Sequence, residues 1–321
     1  MSLHPLASEP AQRSQRMLRT ALGPTISAWL AEADVVEVML NPDGRLWVER
    51  LGEGLLATDA ILGAADAERI VRLVAHHVGV EVHARSPRVS AELPEGGERF
   101  EGLLPPVVTA PIFAIRKPAI QALRLADYVR AQVMDQRQAR LLKAAIADRK
   151  NILIAGATSS GKTTLANALL AELAERDERI VLIEDTIELR CPAANTVALR
   201  SKEGVASLTE LLRSTLRLRP DRIIIGEVRG PEALDLIKAW GTGHPGGVAT
   251  IHAGTPLGAL RRLEQLIQET ATSVPRALIA ETIDLVAVLS GRDGPRRLTD
   301  LVVVEALADG DYVLSPLGDP Q

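Results

Sequence analysis

Apolar positions set the first divisions of the chain. Helical spacing runs over Ala11–Ala21 and Ala64–Val78, with Ile70, Leu73 and Val74 on one face of the second segment. Val35–Leu40 and Arg45–Arg50 flank Asn41-Pro42-Asp43-Gly44, a strand–turn–strand pattern that predicts a hairpin. Further strands are predicted over Pro87–Glu92, Arg99–Leu104 and Ile112–Arg116, and Pro118 ends that series. These elements predict an α+β domain over residues 1–120. The pattern turns helical from Ile120 to Asp148, and residues 121–133 read as a linker. Beyond Lys150, short apolar strands alternate with helices: Asn151–Ala155, Arg179–Glu184, Arg222–Gly226 and Gly247–His252. That alternation predicts an α/β domain over 134–321, built on a parallel sheet covered on both faces. The tail adds strands at Ile283–Ser290, Arg297–Glu305 and Asp311–Leu314, the last pair turned by Asp309-Gly310.

Composition narrows the class. With 321 residues and 46% hydrophobic content, the chain can build two cores. Its formal net charge of −4 gives no global attraction to nucleic acid or anionic lipid. Aromatics at 2% disfavour a base-stacking surface, so direct nucleic-acid binding is not expected. Cys191 is the single cysteine, which excludes an intramolecular disulfide and fits a reducing cytoplasm. The segment Met1–Gly23 lacks the sustained apolar stretch of a signal peptide, and no apolar run reaches the length of a membrane span. Any membrane role is therefore expected to be peripheral.

The strongest chemistry lies at Gly156-Ala157-Thr158-Ser159-Ser160-Gly161-Lys162-Thr163-Thr164. It matches G-x-x-x-x-G-K-[ST], follows the apolar Ile152-Leu153-Ile154 and opens a helix expected over Gly161–Ala174. Glycines let the backbone curl so that N–H groups face phosphate oxygens, and the helix N-terminus favours the same anion. Lys162 is expected on the β- and γ-phosphates, and the Thr163 hydroxyl on Mg²⁺. ATP and Mg²⁺ are thus the expected ligands.

Hydrolysis also needs a group that orients water. Ile223-Ile224-Ile225-Gly226-Glu227 is a buried-strand pattern ending in an acid, so Glu227 is the candidate; a helix cap or ion pair is the alternative. Many phosphate-loop ATPases carry Asp just before this glutamate, and here that position is Gly226. Asp221 stands at the far end of the strand, roughly 15 Å away at about 3.3 Å per residue. Glu184 and Glu188, in Ile183-Glu184-Asp185-Thr186-Ile187-Glu188, are the candidates for holding metal-bound waters, with Glu188 also a catalytic candidate. An ordinary charged loop is the alternative.

Gly241–His252 carries two of the six histidines. His252 ends an apolar strand beside the phosphate loop, His244 sits in the preceding glycine-rich stretch, and together they are candidates for nucleotide sensing. No Cys or His partner lies at metal-ligand spacing. Arg99 and Arg116 fall on first-domain strands; surface arginines are usually only solvated, but an ATPase that closes between domains gains from such charges on phosphate.

Taken in order, GATSSGKTT (Gly156–Thr164), IEDTIEL (Ile183–Leu189), RPDRIIIGEVRGPEALDLIKAWGTGHPGG (Arg219–Gly247) and ATIHA (Ala249–Ala253) resemble the secretion ATPase superfamily of type II and type IV systems and pilus motors. RVSAELP, GERFEGLLPP and FAIRKP (Arg88–Pro94, Gly97–Pro106, Phe113–Pro118) extend the resemblance into the first domain and are most similar to the conjugal-transfer, TrbB-like branch. The resemblance implies a RecA-like domain, a homohexameric ring with a nucleotide at each interface, and a cytoplasmic motor bound peripherally to an inner-membrane apparatus. It implies that Glu227 is the catalytic glutamate, that Gly243–His252 is a histidine box, and that Arg99 and Arg116 complete the nucleotide site. The four-cysteine zinc insertion of some type II relatives is absent. A pilus or type II secretion motor shares all this chemistry. A nucleic-acid translocase and a non-hydrolysing scaffold are the readings from other classes.

Overall fold

A computed structural model describes residues 9–94, 96–118, 123–202, 204–291 and 295–317; the start of the Met1–Gly23 segment and of the expected linker lies outside them. The chain divides into two compact units, Met1–Ile120 and Gln121–Gln321.

In the first unit the order is α1 (Glu9–Ala31), β1 (Val35–Leu40), β2 (Arg45–Arg50), β3 (Gly54–Ile61), α2 (Ala64–His77), β4 (Arg88–Glu92), β5 (Arg99–Leu103) and β6 (Ile112–Arg116). The strands form one antiparallel sheet in the order β3-β2-β1-β6-β5-β4. Val38, Leu40, Leu46, Val48, Phe100, Phe113 and Ile115 turn to one face, where Leu18, Leu22 and Ile26 of α1 and Ile70, Val71 and Val74 of α2 cover them. The hairpin turn needs Gly44, whose φ is 82°, and a Cβ there would sit 2.9 Å from the Leu62 carbonyl. The first helix continues past the expected Ala21 because Gly23 (φ 71°) and Pro24 break it and restart it. β3 was not expected: most of its positions are exposed, so no alternation marks it.

The second unit begins with α3 (Leu125–Arg130), inside the expected linker, and α4 (Gln136–Ala147). It continues through β7 (Ile152–Gly156), α5 (Lys162–Ala171), β8 (Ile180–Glu184), β9 (Thr196–Arg200), α6 (Leu208–Thr215), β10 (Arg222–Ile225), α7 (Glu232–Gly241), β11 (Val248–Ile251), α8 (Pro256–Gln268) and α9 (Arg276–Thr282). Three strands close it: β12 (Leu285–Ser290), β13 (Arg297–Ala308) and β14 (Asp311–Pro316). The sheet order is β14-β13-β12-β7-β11-β10-β8-β9. β12, β7, β11, β10, β8 and β9 run parallel, and β13 and β14 are antiparallel additions.

Each central strand feeds two cores. Ile152, Ile154, Leu182 and Ile224 pack with Leu142 and Ile146 of α4 and Leu165 and Leu169 of α5. Their strand neighbours Leu153, Val181, Ile223 and Ile225 pack with Leu236, Ile237 and Trp240 of α7 and Leu260 and Leu263 of α8. This two-sided burial explains why the strands read as continuous apolar runs. β9 escaped expectation because it is a half-exposed edge strand.

Asn151 ties the amino ends of three strands together. Its Oδ1 accepts from Gly246 N at 2.9 Å and Gly247 N at 3.0 Å, and its Nδ2 donates to Thr282 O at 2.8 Å. Stranding such buried groups costs about 1–3 kcal/mol each, less what they recover by relaxation. Asn151→Ala is therefore expected to destabilise by about 3 kcal/mol, lowering Tm by about 6–12 °C in a domain of this size. A thermal melt that moves by less than about 2 °C would exclude this role.

Candidate nucleotide site

The loop between β7 and α5 is shaped by close approach. A Cβ on Gly156 would collide with the Ser160 side chain and come within 2.7 Å of the Leu289 carbonyl. Ser159 (φ 63°) and Gly161 (φ 97°) take left-handed conformations that reverse the chain into α5. The buried Lys162 returns over the loop, its Nζ donating to Gly156 O at 3.0 Å and Ala157 O at 2.9 Å. The buried Ser160 Oγ has no hydrogen-bond partner among the described residues. A loop that holds an ammonium on its own carbonyls and presents a helix N-terminus fits a polyphosphate.

The carboxyl ends of the neighbouring strands supply the acids. Glu184 ends β8 and is 3% exposed; its Oε2 accepts from Glu188 N and Leu189 N, both at 2.9 Å. Glu188 is half-buried, and its carbonyl accepts from Asn167 Nδ2 at 2.9 Å, while Asn167 Oδ1 accepts from Arg190 N at 2.8 Å. Asn167 of α5 thus fastens the 184–190 loop to the phosphate-loop helix. A Cβ on Gly226 would lie 3.1 Å from Glu184 Cβ, so an Asp at 226 would crowd Glu184. Glu184, at the end of the adjacent strand, takes up the space beside Gly226.

Glu227 follows Gly226 and is fixed from two sides. His252 Nε2 lies 2.7 Å from Glu227 Oε1, and Arg229 Nε lies 3.6 Å from Oε2. The loop itself is pinned to β11 by Val228 N to Thr250 O at 2.8 Å and Thr250 Oγ1 to Gly226 O at 2.7 Å. His252 also reaches the phosphate loop, with Nδ1 3.4 Å from Lys162 Nζ. Burial, then the cations Lys162, Arg229 and Arg262, push the His252 pKa below its usual 6.5. The ring is therefore neutral near pH 7. A carboxylate only accepts, so the proton sits on Nε2 and leaves Nδ1 to accept from Lys162.

A depressed folded pKa means that the stability from neutral His252 is intact above pH 6.5 and is lost as pH falls through the lowered value. Wild type is expected to lose Tm relative to His252→Asn as pH drops from about 7 to 5. A difference independent of pH would sink that assignment.

His244 does not join this group. Its Nδ1 lies 2.9 Å from Pro220 O, at the amino edge of the sheet, and β11 separates it from His252 by about 13 Å. The glycines beside it have packing reasons: a Cβ on Gly246 would meet Arg222 Nη1 at 2.6 Å, and one on Gly247 would run into the Trp240 ring. Of the two histidines, only His252 lies against Lys162 and Glu227. Arg99 and Arg116 lie in the first unit, at facing positions of β5 and β6, with Arg116 opposite Glu37. Burial raises the Glu37 pKa, and Arg116 counters it.

Sequence reasoning missed Asn167, Thr250 and Arg229. Asn167 had a legible signal, a lone amide in the apolar run Leu165-Ala166-Asn167-Ala168-Leu169. The other two take their roles from contacts made at and beyond the ends of neighbouring strands, which leave no local pattern.

The family model for type II/IV secretion system proteins matches residues 25–292. The conjugal transfer protein TrbB of Rhizobium radiobacter is 48% identical over 96% of this chain and 94% of its own. The type IV secretion system protein VirB11 of Bartonella quintana is 31% identical over 94% of this chain and 95% of its own. The ATPase DotB of Legionella pneumophila shares the fold at TM-score 0.59 and 20% identity, covering 94% of this chain and 83% of that one.

Proposed function

The chain belongs to the type II/IV secretion system protein family, and from that membership we propose that it is the ATP-hydrolysing motor of a type IV secretion or conjugative transfer system. The observation that carries the chemistry is the contact chain from Lys162 through His252 to Glu227, which joins the phosphate loop to a carboxylate at the end of β10. Residues Gly156–Thr164 cradle the triphosphate with backbone N–H groups, and Lys162 exchanges its loop carbonyls for phosphate oxygens. Glu227 orients the attacking water and accepts its proton, while neutral His252 holds that carboxylate and registers where Lys162 sits.

Mg²⁺, when bound, offsets charge developing on the phosphate oxygens. Thr163 is the proposed direct ligand, with Glu184 and Glu188 acting through water. Among the described residues no group of three His, Cys, Asp or Glu side chains is spaced to hold a metal ion. Arg99 and Arg116 are proposed as phosphate contacts on the strength of the family resemblance.

A homohexamer working at the cytoplasmic face of an inner-membrane apparatus is part of the same proposal. No helix among the described residues is long and apolar enough to cross a membrane. Phosphate release by the purified chain, paired with a mass measurement with and without an ATP analogue, tests it. A chain that binds ATP without releasing phosphate would be a scaffold, and one stimulated by single-stranded DNA with steep salt dependence would be a translocase.

A further inference from the structure

We propose that Arg229 is a positioning residue for hydrolysis, locking the loop after β8 to the loop after β10 and so setting the direction of the Glu227 carboxylate. The inference rests on Glu227 being the group that orients water. Arg229 pairs through Nη2 with Asp185 and lies through Nε 3.6 Å from Glu227 Oε2, so one planar fork spans two strand ends.

Both anchors are built into the fold. Asp185 follows Glu184 directly, and its Oδ1 accepts from Thr186 N at 2.9 Å, fixing the carboxylate at the start of its loop. The Arg229 backbone is held by Glu232, a carboxylate 4% exposed at the first turn of α7. Glu232 Oε1 accepts from Arg229 N at 2.7 Å and Gly230 N at 2.9 Å. A buried carboxylate spent on orienting the turn that carries Arg229 is more than a solvated surface ion pair requires. The Arg229 and Asp185 side chains are themselves 44% and 35% exposed, so their pairing contributes little to stability. A loss of turnover on breaking it therefore reports geometry and not unfolding.

The test compares Arg229→Ala, Arg229→Lys, Asp185→Asn, the Asp185→Asn/Arg229→Ala double variant and Glu227→Gln in steady-state ATP hydrolysis. Arg229→Ala is expected to lower kcat at least about tenfold with KM for ATP within about twofold, because the residue acts on the base and not on nucleotide. Arg229→Lys, which keeps charge without the fork, recovers part of the loss. The double variant is no slower than Arg229→Ala, since both changes cut one link. Wild-type kcat in Arg229→Ala, or a KM rise with kcat unchanged, overturns the proposal, and so does a double variant whose losses multiply. Asp185→Asn keeps the test alive if Arg229→Ala fails to fold, and wild-type kcat in Asp185→Asn then overturns it. If Glu227→Gln turns over normally, the hydrolytic assignment beneath it falls instead.

Discussion

Lys162→Ala is expected to lower ATP turnover by about 10²–10³-fold or more, the scale seen when one preorganised donor to a developing charge is removed. The lysine is the only cation among residues 156–164, and it is already held over that loop by two carbonyls. ATP binding requires only that Nζ move from carbonyl to phosphate oxygens, with little further ordering. The variant should still fold. Gly156 O and Ala157 O lose a partner at a loop whose next residues, Ala157 and Thr158, are exposed, so water can replace the ammonium. A melt close to wild type, with phosphate release near background, is the expected pair of results. Undiminished turnover would remove the phosphate loop from the mechanism.

The loop, the alternation of strands and helices, and the acid at the end of β10 were legible because each is a local pattern with a physical cause. A buried parallel strand must be apolar on both sides, and a phosphate loop must be glycine-rich where backbone approaches backbone. Edge strands were not legible in this way. Gly54–Ile61 and Thr196–Arg200 bury too little to alternate, and only their partners in the sheet define them. The packing role of the glycines before β11 was not legible, because glycine has more than one use. Here Gly246 and Gly247 make room for Arg222 and Trp240, while the contacts with Glu227 and Lys162 begin only at His252. The supports of the site were least visible: Asn167, Thr250, Glu232 and Arg229 act between residues far apart in sequence or on backbone groups.

Glu227→Gln is expected to retain ATP binding within a few-fold while kcat falls by about 10²–10³, within the range of general-base contributions. The substitution keeps shape, and the amide oxygen still accepts from His252 Nε2, so the β10 loop holds its place. What disappears is the capacity to take a proton from water. Glu184→Gln is the matched control. Its oxygen can still accept from Glu188 N and Leu189 N, so that loop also stays folded. If Glu227 is the base, Glu227→Gln loses far more kcat than Glu184→Gln, measured by phosphate release at saturating ATP and Mg²⁺. A larger loss at Glu184, or a Glu227 variant that loses binding and turnover together, would move the catalytic carboxylate from β10 to β8 and leave Glu227 as a clamp for His252. The two carboxylates differ in what already occupies them. Glu184 is buried at 3% exposure and gives one oxygen to its own loop, whereas Glu227 is 23% exposed and shares its oxygens with a neutral histidine and an arginine. The more accessible of the two is the better placed to orient the attacking water.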